Sequence, residues 1–193
     1  MSSYCTAQDI KTALEMTVSS YDTHLTTLAI SVSGKIDDAF GWGPNSYTVA
    51  SDTTRYYDYC AVHGVILRLD APLLSVTAIV NGDTTAVTSS MYRLHPRNTE
   101  RKHEIHMLSG YSWQFAQDGE IAITGKFGYS LTTPPQVREA AIIYAGWLFK
   151  RYQAALQDAA ANPDFGQLII RDSAIPKQAI ELMADVRNYR KML

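Results

Sequence analysis

The stretch Glu120–Arg151, EIAITGKFGYSLTTPPQVREAAIIYAGWLFKR, decides the fold, because a strand, a pair of prolines and a long apolar helix meet inside it. Ile121 and Ile123, followed by Phe127 and Tyr129, alternate as a strand requires, and Gly125 and Gly128 mark a bulge or a close backbone approach at its end. Thr133 is placed to cap a helix, and Pro134 and Pro135 take first-turn positions, where a missing N–H costs nothing. Beyond them Val137, Ala141, Tyr144, Leu148, Tyr152, Ala155 and Ala159 form one stripe, widened by Ala140, Ile143 and Trp147. A helix apolar over so much of its circumference touches other elements on several sides. Unbroken to Ala161 it spans about 40 Å at 1.5 Å per residue, and Asn162 and Pro163 end it.

Upstream, Thr6 followed by Asp9 has the spacing of a capping box, and Ile10, Leu14 and Val18 supply an inward stripe for a short first helix. From Asp22, a good N-cap, Leu25, Leu28, Ala29, Val32 and Ile36 recur at helical spacing until FGWGP breaks the pattern at Phe40–Pro44. The period then changes. TRYYDYC, VILRL, LLSVTAIV and TTAVT read as strands, with Asn81–Asp83 as a tight turn. EIHML, YSWQF and EIAITG add three more, Asp118 and Gly119 turning the last pair. Downstream of the central helix, after NPDFGQLIIRDSA, Pro176 opens a last amphipathic helix with Ala179, Leu182, Met183, Val186 and Tyr189 on one face and Arg187, Arg190 and Lys191 beside it.

This order gives an α+β fold: a helical bundle core around a long central helix, an antiparallel β insertion, and a C-terminal docking helix. The expected boundaries are 1–175 for one domain, with helical core 1–42 and 130–162 and β module 53–129, and 176–193 for the helical arm. With 193 residues, 46 % of them hydrophobic, the chain buries a core without staples. A formal net charge of −2 supplies no global pull toward nucleic acid or an anionic membrane. No signal peptide or membrane-spanning run is expected, and Cys5 and Cys60 stand in no metal or redox spacing and read as small buried hydrophobes in a reducing compartment.

His95, His103 and His106 cluster with Glu100 and Glu104, a composition that suits Zn²⁺, but His103 and His106 face opposite sides of a strand, which argues against a shared ion. No metal and no cofactor is expected. Arg93, Arg97, Arg101 and Lys102 in the same segment read either as a solvated loop or as a local phosphate-contacting patch. TGKFG lacks the earlier glycine and the hydroxyl residue of a phosphate-binding loop, and no nucleophile elbow or dinucleotide fingerprint is present, so no enzyme is expected. The aromatic clusters Tyr56, Tyr57, Tyr59 and Tyr111, Trp113, Phe115 are either sheet packing or interface anchors. The last helix likewise packs at home or in a partner's groove, since both leave the same spacing.

Taken in order, TAQDIKTAL, IDDAFGW, RYYDY, LRLDAPLLSVTAIVNGD, MYRLHPRN, the Ile121–Arg151 tract and IPKQAIELMADVRNYRK resemble the head-tail connector family of tailed bacteriophages, the adaptor or head-completion proteins. The resemblance covers nearly the whole chain and is carried most by the strand end TGKFGY, the prolines, VREAA and the basic helix end. It implies a structural protein of the virion neck, assembled in the host cytoplasm: a twelve-fold homo-oligomeric ring beneath the portal protein that receives the stopper or tail-completion protein, with no membrane contact. It also implies portal docking by Leu182, Met183, Val186, Arg187, Tyr189, Arg190 and Lys191. Subunit contacts would involve Tyr56, Tyr57, Tyr111 and Trp113, and Arg97, Arg101 and Lys102 would face genomic DNA in the lumen. A stopper-type neck protein and a metal-binding enzyme are the alternatives, and the long helix after the two prolines favours the adaptor over a predominantly β stopper.

Overall fold

The computed structural model describes residues 3–116, 119–161, 175–184 and 186. Among them are four helices and a six-stranded antiparallel sheet, and the chain divides into two compact units. Met1–Asn45 with Thr133–Leu193 contribute the first, and Ser46–Thr132 the second. No described helix is long and apolar enough to cross a membrane.

The first unit is helical. α1 (Ala7–Ala13) starts at the expected capping box, in which Thr6 Oγ1 accepts from the Asp9 N–H and Asp9 Oδ2 accepts from the Thr6 N–H. The helix stops sooner than its stripe suggests: Leu14 is its C-cap, Glu15 takes a left-handed φ of 54°, and Val18 is exposed rather than inward. α2 (Asp22–Phe40) ends at Gly41 as expected, but its N-cap is Tyr21. Asp22 lies inside the first turn, where its carboxylate takes the buried Lys11 ammonium at 2.8 Å and ties α1 to α2.

α3 (Pro135–Ala161) opens with Pro134 O accepting from the Arg138 N–H, so Pro134 stands at the cap and Pro135 in the first helical position. It packs against α1, α2 and α4 (Lys177–Met183). Val137, Ala140, Ala141, Tyr144, Ala145 and Phe149 are fully buried, opposite Leu25, Ala29, Val32 and Ile36 of α2 and Ile10 of α1. Trp147 is only half-buried, its ring under the Arg151 guanidinium at 4.5 Å, whereas Phe149 is enclosed, with the Tyr21 ring edge-on at 5.2 Å. The stripe emerges at its far end, where Tyr152 is exposed, as is Leu156 outside the stripe.

The second unit is the sheet, ordered β1-β6-β3-β5-β4 with β2 on β3. Its strands are β1 (Thr53–Tyr57), β2 (Val62–His63), β3 (Ile66–Val80), β4 (Tyr92–His95), β5 (Lys102–Met107) and β6 (Ile121–Phe127). The two separate strands expected in VILRL and LLSVTAIV are the single strand β3, whose first part pairs with β5 and whose second part pairs with β6. Pro72, which has no N–H for a ladder, falls in the interval between Arg68 and Leu73 where the β3–β5 register shifts.

TTAVT and YSWQF do not form strands; each contributes one isolated bridge, Val80↔Ala86 and Gly82↔Phe115. The tight turn at Asn81 is present, with Thr84 left-handed at φ 70°. Of the expected turn at Asp118 and Gly119, Asp118 lies outside the described residues.

Gly125 and Gly128 do what the strand end requires. A Cβ at Gly125 would run into the Ser75 carbonyl beside a register shift. Gly128 holds φ 150° and passes so close to Val49 and Ser46 that a Cβ would lie 2.9 Å from Ser46 O.

Candidate interaction surfaces

Three surfaces carry the residues singled out from the sequence. In the helical unit, α4 packs on α3 with Ala179, Met183 and Val186 buried and Leu182 half-buried, so the described part of the last helix is at home. Its outward residues are Lys177, Gln178, Ile180 and Glu181, Ile180 being 41 % exposed. Leu182, Gln178 and Glu181 line an open groove of about 510 Å³ with Gln136 and Ile143 of α3. The remaining docking candidates, Arg187, Tyr189, Arg190 and Lys191, lie outside the described residues.

In the sheet unit, the basic segment is a β4–β5 hairpin arm. Lys102 Nζ donates to the Pro96 and Arg97 carbonyls at 2.9 and 3.0 Å, and the Arg101 guanidinium lies 4.0 Å from the centre of the Tyr129 ring. These two cations hold the loop's shape, while Arg97 and Arg93 are exposed. On the same strands the His95 and His106 rings stack at 4.0 Å, and His106 Nε2 meets Glu104 Oε2 at 2.8 Å. Desolvation holds His95 below the ordinary imidazole range, and the neighbouring His106 adds to this. His103 is lowered too, by desolvation and then by Arg101. Among the described residues no group of three or more His, Cys, Asp or Glu side chains is arranged to hold a metal ion.

The aromatic clusters split by orientation. Tyr57 is buried, its hydroxyl donating to Asp70 Oδ1 at 2.6 Å, and burial followed by that carboxylate raises its pKa well above the ordinary phenol value. Trp113 is buried, with Nε1–H donating to Val65 O at 3.1 Å. Both are therefore sheet packing in this chain. Tyr56 is 65 % exposed, and Tyr111 and Tyr59 are exposed as well. The cysteines divide in the same way. Cys5 is buried, its thiol pushed up to about 11 by desolvation and then by Asp9, whereas Cys60 is exposed, contrary to expectation, because it sits on the short 3-10 turn Tyr59–Ala61. Surface apolar residues not singled out beforehand are Val65 and Leu131 in the sheet unit and Ile30, Leu156 and Ile180 in the helical unit. For the three in helices, a position off the inward stripe is the signal that could have marked them; Leu131 lies in the loop before α3, where no periodicity applies.

No protein-family model and no curated protein matches the chain. Solved structures do resemble it. A chain from the virion of a native gene transfer agent (GTA) particle matches with TM-score 0.59 and 17 % identity, covering 94 % of this chain and 88 % of that one. A chain from the neck of an empty GTA particle, computed with C6 symmetry, matches with TM-score 0.56 and 13 % identity over 91 % and 87 %. One from the neck of a native GTA particle, computed with C12 symmetry, matches with TM-score 0.54 and 16 % identity over 94 % and 90 %. At these identities the likeness is one of fold.

Proposed function

We propose that this chain is a structural, non-enzymatic component of the neck of a tailed phage or related particle: an adaptor that forms a ring beneath the portal and joins the filled head to the stopper or tail. The observation that carries the reading is the fold likeness, over more than nine-tenths of the chain, to chains in GTA necks. The C12 symmetry of one of those necks supports a twelve-fold ring. In this reading the helical unit is a bundle around α3, and 1–175 act as one connector domain carrying the β module, with 176–193 as the portal-docking arm. The chain is made in the host cytoplasm and ends in the virion.

The geometry modifies which residues would act. Met183 and Val186 are buried at home, so docking through them requires α4 to leave α3; docking through Ile180 and the groove beside Leu182 does not. Around the lumen, exposed Arg97 is the cation best placed to meet phosphates, with Arg101 and Lys102 shaping its loop.

Co-sedimentation with the portal ring of the same genome tests the reading. The intact chain is expected to bind saturably, and a chain truncated after Ala174 to lose binding while its circular dichroism stays folded. Because the truncation also removes buried residues, Ile180→Glu is the companion variant. Loss of portal binding in a folded Ile180→Glu protein places docking on the outer face of α4. No binding by the intact chain overturns the adaptor role.

A further inference from the structure

We propose that neighbouring copies join through their sheets, β1 of one copy pairing in parallel with β4 of the next. The strand path ends at β1 and β4, and among the described residues no strand lies beyond either; β2, two residues long, pairs β3 off this path. Every pairing along the path is antiparallel, so β1 and β4 run in the same direction.

The hydrogen-bond phase identifies the open peptide groups. Leu108 N–H donates to Met91 O at 2.8 Å, which marks that pair as bonded in the β4–β5 register. Bonded pairs alternate, so Arg93 and His95 bond inward to β5 while Tyr92 and Leu94 present their peptide groups to the open side. Arg93 Nη1 donates to Tyr92 O at 2.9 Å, covering a carbonyl that no strand uses. On the other edge, Val87 N–H donates to Ile79 O at 2.9 Å, which turns Ile79 away from β6. Ala122 and Thr124 then serve β3, Ile121, Ile123 and Gly125 serve β1, and Thr54 and Tyr56 are left facing out.

Of the ways to join these edges, side-chain orientation and charge select one. In a parallel ladder Tyr56 N–H donates to Tyr92 O and Leu94 N–H donates to Tyr56 O, so exposed Tyr56 lies beside exposed Arg93, ring against guanidinium. Tyr57 and Leu94, both turned inward, then share the other side, and Asp58 faces His95. The antiparallel alternative that bonds both outward residues of each edge sets Arg55 opposite Arg93. Pairing β1 with β1 through both outward residues sets Asp52 opposite Asp58, and pairing β4 with β4 sets Arg93 opposite Arg93, all like-charge contacts. A joint between two different edges is heterologous, the kind that closes into a ring; its closure rests on the neck reading above.

Disulfide trapping tests the ladder, since neighbouring strand positions fall within disulfide reach. Tyr56→Cys and Arg93→Cys are introduced together and singly in a Cys60→Ser background, assembled with the portal ring of the same genome, oxidised, and resolved on non-reducing gels. The double variant is expected to give a ladder of covalent multimers, and the single variants none. Tyr56→Pro, which deletes an outward N–H that β6 does not use, is expected to keep the parent's thermal midpoint and lose self-assembly. If the Cys60→Ser parent assembles on the portal and the double variant yields no ladder, or if Tyr56→Cys alone dimerises efficiently, the ladder is wrong and the neck reading stands. If the parent does not assemble, both fall.

Discussion

The two units spend their aromatic and charged residues differently. In the helical unit several are turned in on the unit itself: Phe149 is enclosed by Tyr21 and His24, and Lys11 is buried against Asp22. In the sheet unit many stay outside, with Tyr56, Tyr59, Tyr111, Arg93 and Arg97 on the surface and two strand edges open. The difference is one of emphasis that either unit's secondary structure alone would not reveal: the helical unit encloses most of these side chains and leaves Ile180 and the groove beside Leu182 as its contact surface, whereas the sheet unit leaves many of them, and its open strand edges, outside.

The largest expected effect tests the enclosed side of that contrast. Phe149→Ala removes a fully buried ring from α3 and is expected to cost about 3–5 kcal/mol of unfolding free energy in urea titrations. Trp147→Ala, two residues away, is expected to cost clearly less, because its ring is half-buried and one face is covered by the Arg151 guanidinium rather than by core. Equal losses would mean that helix position, not enclosure, sets stability here.

Gly128→Ala probes the sheet unit. The new methyl group meets Val49 and Ser46 at a backbone conformation that side chains rarely adopt, and a loss of about 2–4 kcal/mol is expected from strain and overlap together. Amide exchange should locate it, with β6 losing protection before α3. Protection lost first in α3 would undo the separation of the two units.

These sites also show how much of the molecule was legible beforehand. Three helix ends were readable because their causes are local: Thr6 and Asp9 bond to each other's backbone, Gly41 stops α2, and two prolines start α3; the end of α1 and the N-cap of α2 were not, since Leu14 and Tyr21 carry no capping signal. The sheet was harder because strand identity depends on partners far along the chain. TTAVT has strand composition but meets β3 at one bridge, while YRLH is a full strand because Lys102–Met107 lies beside it. Alternation could not say which of Tyr56 and Tyr57 faces inward, since either phase fits the pattern; the pairing with β6 decides it. Nor could periodicity reveal that Met183 and Val186 are buried at home, because a partner's groove would demand the same spacing.

A smaller effect comes from the start of α1. Thr6→Ala removes the cap and is expected to cost about 1 kcal/mol. Asp9 adds a pH signature: the Arg138 hydrogen bond, foremost, holds its pKa below the ordinary 3.8. A carboxylate lowered in the folded state stabilises above its unfolded pKa and loses that contribution as pH falls through the folded one. Stability should therefore drop below about pH 4 less steeply in Asp9→Asn than in the parent, as read from thermal midpoints across that range.

The smallest expected change in stability draws the contrast most finely, between adjacent residues of β1. Tyr57→Phe deletes a hydroxyl bonded to Asp70 inside the sheet unit and should cost about 1 kcal/mol, with Arg55 still beside the carboxylate. Tyr56→Ala removes a larger group yet should stay within about 0.5 kcal/mol of the parent, because its ring touches mainly solvent in the single chain. Assembly should rank them the other way, Tyr56→Ala weakening self-association on the portal and Tyr57→Phe leaving it unchanged. If Tyr57→Phe instead impairs assembly at parental stability, the inward tyrosine reaches the neighbour, and the division between a stabilising side and a contacting side of β1 is wrong.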